Sequence, residues 1–180
     1  MNLVSNGTFD DTSSWNLTRV YGNYGQASSN ISGGTWNFGA GLYGGGTYSL
    51  SQNIQTVSGD TYTLEFDSTA FANWGYISAR VFWNNVQFYI NNGQYGYYSS
   101  AVDQSISNLI ATSQTTALTF IVSGALYDSN RPGIGFSLDN VSVYSNTPHT
   151  VSAVPEPETL AMMLLGLPMM AWTVRRRKSA

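Results

Sequence analysis

Cysteine is absent from this 180-residue chain, which removes disulfides, thiolate nucleophiles and zinc–thiolate centres together. Charge is scarce too, with Asp, Glu, Lys and Arg making up only 9% of residues. Up to residue 153 there is no lysine, and the cations are Arg19, Arg80 and Arg131. They face the acids Asp10, Asp11, Asp60, Glu65, Asp67, Asp103, Asp128 and Asp139, so this body is net acidic. An acidic body has no cationic footprint with which to displace counterions from nucleic acid. His149, the sole histidine, has no nucleophile beside it, so no catalytic triad is built from it. Gly33-Gly34 and Gly44-Gly45-Gly46 lack a lysine or a following helix and read as loop glycines, not a phosphate cradle. Glu65 and Asp67 share the outward face of one predicted strand. They read as a solvated strand face, although paired carboxylates are also what a glycoside hydrolase uses. A charged start followed by an apolar stretch is missing as well, since Met1–Val4 leads directly into a first strand. The expectation is a leader encoded upstream or already removed. No catalytic group emerges, and the expected protein is not an enzyme.

What is present is polar without being charged: Asn, Ser, Thr and Gly supply the solubility. Tyr62, Leu64 and Phe66 alternate with polar residues, as a strand buried on one face requires. Tyr48, Leu50 and Ile54 do the same, and Ser58-Gly59-Asp60 turns between the two runs. Ile77, Ala79, Val81 and Trp83 alternate with Ser78, Arg80 and Phe82, and Asn84-Asn85 then forms a hairpin turn into Val86–Ile90. Leu118, Phe120 and Val122 form another inward set. Phe136 and Leu138 change phase relative to Val141 and Val143, which predicts a bulge at Asp139-Asn140. Ile106, Leu109 and Ile110 sit at helical spacing in a run too short to decide between helix and strand. Strands at this spacing, needing two layers to bury their inward faces, predict an all-β antiparallel sandwich of the jelly-roll form over residues 1–144. A polar linker follows over 145–153, and then a distinct C-terminal segment over 154–180.

That last segment begins Val154-Pro155-Glu156-Pro157, whose prolines keep it extended and accessible. An apolar run from Leu160 to Val174 follows, predicted as a short hydrophobic helix of about 22 Å. This is less than the roughly 30 Å of a bilayer core; long side chains at its end make up the difference by snorkelling. Arg175, Arg176, Arg177 and Lys178 form a basic cluster that stays on the cytoplasmic side. Motif, spacer, apolar run and basic end resemble, in that order, the PEP-CTERM sorting signal of exported proteins in Gram-negative bacteria that make extracellular polysaccharide. The resemblance implies recognition by an exosortase, a membrane-embedded transpeptidase-like enzyme, with processing near Pro-Glu-Pro. It further implies insertion in the inner membrane during sorting, followed by display at the cell surface or in the extracellular matrix.

The body carries a second resemblance. Asn2–Asp10 with Trp15 is similar to the opening of galactose-binding-like jelly rolls, which include several carbohydrate-binding modules. Phe136–Val143 is similar to their closing strand, and Tyr48–Gln52 to a strand between. This resemblance implies a structural calcium between first and last strands, with Asp10 and Asp139 at the matching positions. The alternative is that Asp10 and Asp11 cap a turn and Asp139 serves the bulge. Trp36, Trp74, Tyr95, Tyr97 and Tyr98 lie in Gly/Asn-rich segments and are expected in loops or at sheet edges. There their ring faces would stack on sugars; the competing reading makes them core or covering residues. The functional expectation is a structural or adhesive protein of an exopolysaccharide matrix, with a carbohydrate-binding module of defined glycan site as the alternative.

Overall fold

The computed structural model describes residues 1–94, 96–127 and 133–147. Among them every regular element is a strand: β1 (Asn16–Ser32), β2 (Thr35–Gln55), β3 (Thr61–Ala72), β4 (Gly75–Trp83), β5 (Val86–Gln94), β6 (Tyr97–Ile110), β7 (Thr115–Leu126) and β8 (Ile134–Ser145). All pairings are antiparallel. The strand order β5-β4-β7-β2-β8-β3-β6, with β1 on β2, folds back on itself as a two-sheet sandwich because β2 serves both sheets. Its first part, Trp36–Ala40, pairs with β8, and its last part, Gly45–Gln55, pairs with β7. The expected apolar C-terminal helix over Leu160–Val174, the Val154–Pro157 motif, the Arg175–Lys178 cluster and His149 lie outside the described residues.

Gly44-Gly45-Gly46, expected as loop glycines, instead belong to β2 where it passes from one sheet to the other. A strand that changes partners must bend, and residues without side chains bend at least steric cost. Gly33-Gly34 do form a turn, both at positive φ, closing the long β1–β2 hairpin between Ser32 and Thr35. Asn84 and Asn85 close β4–β5 in the same left-handed conformation.

The alternation read in the sequence is the alternation of burial. Ile77, Ala79, Val81 and Trp83 of β4 face the core, as do Tyr62, Leu64 and Phe66 of β3. Aromatic pairs join the sheets: Phe66 meets Phe120 edge-on at 5.7 Å, and Tyr62 lies 5.5 Å from Trp83. Their polar atoms are satisfied, with Trp83 Nε1 donating to the Ile110 carbonyl and the Val57 amide donating to the Tyr62 hydroxyl.

Bulges explain the irregular spacings. In β8 the register against β3 slips between Asp139 and Ser142, with Asn140 at φ 52°. That extra residue restores Val141 and Val143 to the core. In β6, Asn108 at φ 60° makes a comparable slip, so Ile106 and Leu109 face the same side three residues apart. The helical spacing of that run is therefore a bulged strand. The opening segment lies along β8, with the Leu3 amide donating to Val143 and the Val141 amide to Gly7. Gly7 is required there, because a Cβ would fall 1.9 Å from the Val141 carbonyl oxygen.

Candidate functional site

The outer face of the β5-β4-β7-β2 sheet gathers the groups a polyhydroxylated ligand needs. Strand alternation sends Tyr76, Ser78, Arg80 and Phe82 of β4 outward, each half-buried. Register sets them in rows across the sheet. Ser78 stands beside Ser123, which stands beside Thr47. The Thr47 and Ser123 hydroxyls hydrogen-bond at 2.9 Å. Phe82 stands beside Thr119, and Thr119 beside Ser51. At one end of the face, Tyr76 and Tyr127 lie 6.1 Å apart with their rings inclined by 36°. The Tyr127 amide donates to the Trp74 carbonyl, and these two side chains are 52% and 40% exposed.

Arg80 is the charged member of this face. Its β7 neighbour in register is Ile121, so no carboxylate stands across from it there. Its Nε is buried and has no hydrogen-bond partner among the described residues. A guanidinium carries only donors, and a buried donor left unmet costs stability. Aromatic rings on the same face as a row of hydroxyls and a guanidinium suit a sugar: rings cover its C–H faces while the polar groups meet its oxygens.

The aromatic expectations divide. Trp74 and Tyr98 are exposed, Tyr98 by 70%. Trp36 corrects the expectation of a loop or edge. It is wholly buried in β2, donates through Nε1 to Ser29 Oγ at 2.7 Å and meets Phe136 edge-on. Its alternation with Phe38 and Ala40 was the sign of a strand, obscured by the glycines around it. Tyr97 turns inward over Gly93, and its hydroxyl donates to Asn91 Oδ1 at 2.7 Å. Tyr95 lies outside the described residues. Tyr76 and Tyr127 were not singled out in the sequence, although the phase of β4 already placed Tyr76 on Arg80's face.

Asp10 and Asp139, the residues expected to hold calcium, line different grooves. Asp10 accepts from Thr8 Oγ1 at 2.7 Å and lines a groove with Asn2, Asn6 and Thr8, whereas Asp139 lines another with Asp67 and Ser137. Asp139 Oδ1 accepts the Asn140 amide at 2.7 Å, as a residue serving the bulge would. Among the described residues no group of three or more Asp, Glu, His or Cys could hold a metal ion. Hydrogen bonds from Ser13, first its hydroxyl and then its amide, hold the exposed Asp11 carboxyl below its ordinary value.

Fold and face together define a jelly-roll β-sandwich with carbohydrate-binding modules among its structural neighbours. TmCBM61 in complex with β-1,4-galactotriose superposes with a TM-score of 0.53 at 16% identity, over 81% of this chain and 99% of that one. The N-terminal cellulose-binding domain of Cellulomonas fimi β-1,4-glucanase C gives a TM-score of 0.46 at 18% identity, over 81% of this chain and 97% of that one. Residues 153–178 match the PEP-CTERM protein-sorting motif, which signals export and exosortase processing. No curated protein matches the chain.

Proposed function

We propose that this chain is an exported protein, released by an exosortase to the cell surface or extracellular matrix, where its jelly-roll body adheres to exopolysaccharide without catalysing a reaction. The carrying observation is the PEP-CTERM motif at 153–178, C-terminal to a body of jelly-roll fold. The membrane holds the apolar run while the sorting enzyme acts near Pro155–Pro157. The acidic, lysine-free body suits a hydrated sugar matrix, where amides and hydroxyls match the ligand's own hydrogen bonding. Intact-mass measurement of native protein from envelope and medium tests the sorting half. A species ending near Pro157 is expected; one ending at Ala180 and confined to the membrane would make the tail a plain anchor.

A defined glycan site is the second reading, favoured by the sheet face that carries Arg80 together with a row of hydroxyls and, at one end, Tyr76, Tyr127 and Trp74. On this reading Arg80 donates to a sugar oxygen while Tyr76, Tyr127 and Trp74 cover the ring faces.

A further inference from the structure

The opposite face of the sandwich carries a trough. Across β6, β3, β8 and β2 the register aligns Tyr98 with Phe71, Phe71 with Gly135, and Gly135 with Gly39. The next row aligns Ser100, Thr69, Ser137 and Asn37. Beyond it Asp67 stands directly opposite Asp139. Two grooves of ≈ 220 and ≈ 210 Å³ cover these rows and share Thr69 and Ser137, so they form one trough running along the strands.

Its shape follows from its residues. A Cβ on Gly135 would fall 2.4 Å from the Phe71 ring, so glycine is what lets that ring lie down against the sheet. Gly39 leaves bare backbone beside it, with nothing closer than 3.7 Å to an added Cβ. One end of the trough is thus aromatic, its middle a line of hydroxyls and an amide, and its far end two carboxylates.

We propose that this trough is a second glycan site, taking a neutral polysaccharide laid along the strands. The inference rests on the reading that the body binds polysaccharide and adds a second, chemically distinct surface to it. Phe71 and Tyr98 stack on a sugar ring, and Ser100, Thr69, Ser137 and Asn37 exchange hydrogen bonds with its hydroxyls. Asp67 and Asp139 accept from hydroxyls and repel uronates, sulfates and phosphates, with no cation among the described residues that line the trough. The Arg80 face has the opposite bias. Because the outer faces of a sandwich point away from each other, one domain bridges two polysaccharide strands and gains from their joint binding.

The test is affinity electrophoresis of the full chain in gels containing hydroxyethylcellulose, β-1,4-galactan or alginate. The first face is disabled by Arg80→Ala with Tyr76→Ala, and thermal melts check folding. The expected result is that this variant still binds one of the neutral polymers. Adding Tyr98→Ser should weaken that residual binding about tenfold, and adding Asp139→Asn instead should admit alginate. If the native chain is retarded but the first-face variant is not, the second site is wrong and the adhesive reading stands. If the native chain is retarded by none of the polymers, both fall.

Discussion

Asn140 Nδ2 donates to Asp67 Oδ2 at 2.7 Å, tying the bulge of β8 to the middle of β3. The other oxygen of Asp67 accepts the Asp103 amide at 2.7 Å, in a bulge of β6 where Asp103 has φ 55°. One carboxylate therefore clamps an irregularity in each neighbouring strand. Both bulged residues adopt the left-handed conformation that Asn and Asp tolerate best.

Removing this clamp should loosen the pairing of β3 with both of its neighbours, β8 and β6, together. Asp67→Ala is expected to cost about 1–3 kcal/mol, since it strips acceptors from donors on two strands. Urea unfolding measures the loss, and Asp67→Asn separates charge from shape. An unchanged midpoint for Asp67→Ala would show that the bulges hold themselves.

Trp36 and Trp74 make opposite predictions. Trp36→Ala empties a fully buried site and should cost about 3–5 kcal/mol. Trp74 is 40% exposed, so its replacement by Ala should stay within about 0.5 kcal/mol while weakening polysaccharide binding. Equal losses of stability in the two variants would contradict this division.

Gln52 is a buried amide in an otherwise apolar inward set. Its Nε2 donates to the Ser5 and Ser14 carbonyls, and its Oε1 accepts the Ser5 amide, pinning the opening segment. Gln52→Leu is expected to lower stability by about 1–3 kcal/mol through unpaired backbone groups. Hydrogen exchange should localise the loss, with faster exchange at Ser5 before the β3 and β7 amides respond.

Asp11 sets a pH dependence of the opening loop. Its carboxyl lies below its ordinary value of 3.8 because Ser13 hydrogen-bonds the charged form. The contribution is therefore complete above the unfolded value and is lost as pH falls through the lower folded value. Carboxyl NMR titration should give a midpoint under 3.8, moving upward in Ser13→Ala; a midpoint at or above 3.8 in the unmodified chain would contradict the assignment.

Legibility in the sequence followed regularity. The inward sets of β3, β4 and β7 were plain because their alternation is unbroken, and Asn84-Asn85 announced its hairpin through residues that accept positive φ. The bulge at Asn140 showed as a phase change between Leu138 and Val141. Asn108 hid a similar bulge in β6, since one extra residue in a strand leaves Ile106 and Leu109 at a helical interval. Around Trp36 the glycines mask the alternation with Phe38 and Ala40 that marks a strand. Gly44–Gly46 misled for a related reason: glycines serve a strand crossing between sheets as well as they serve a loop. Neither outer face was visible as a unit, because its rows form only when register aligns strands far apart in the chain.

The most direct measurement is calorimetric titration of the full chain with soluble polysaccharides, native against Arg80→Ala. The account predicts saturable binding to at least one polymer, weakened about tenfold by loss of a charged donor, with thermal stability retained. Absence of binding across neutral and acidic polymers would contradict it, and binding indifferent to Arg80→Ala would remove this face as the site.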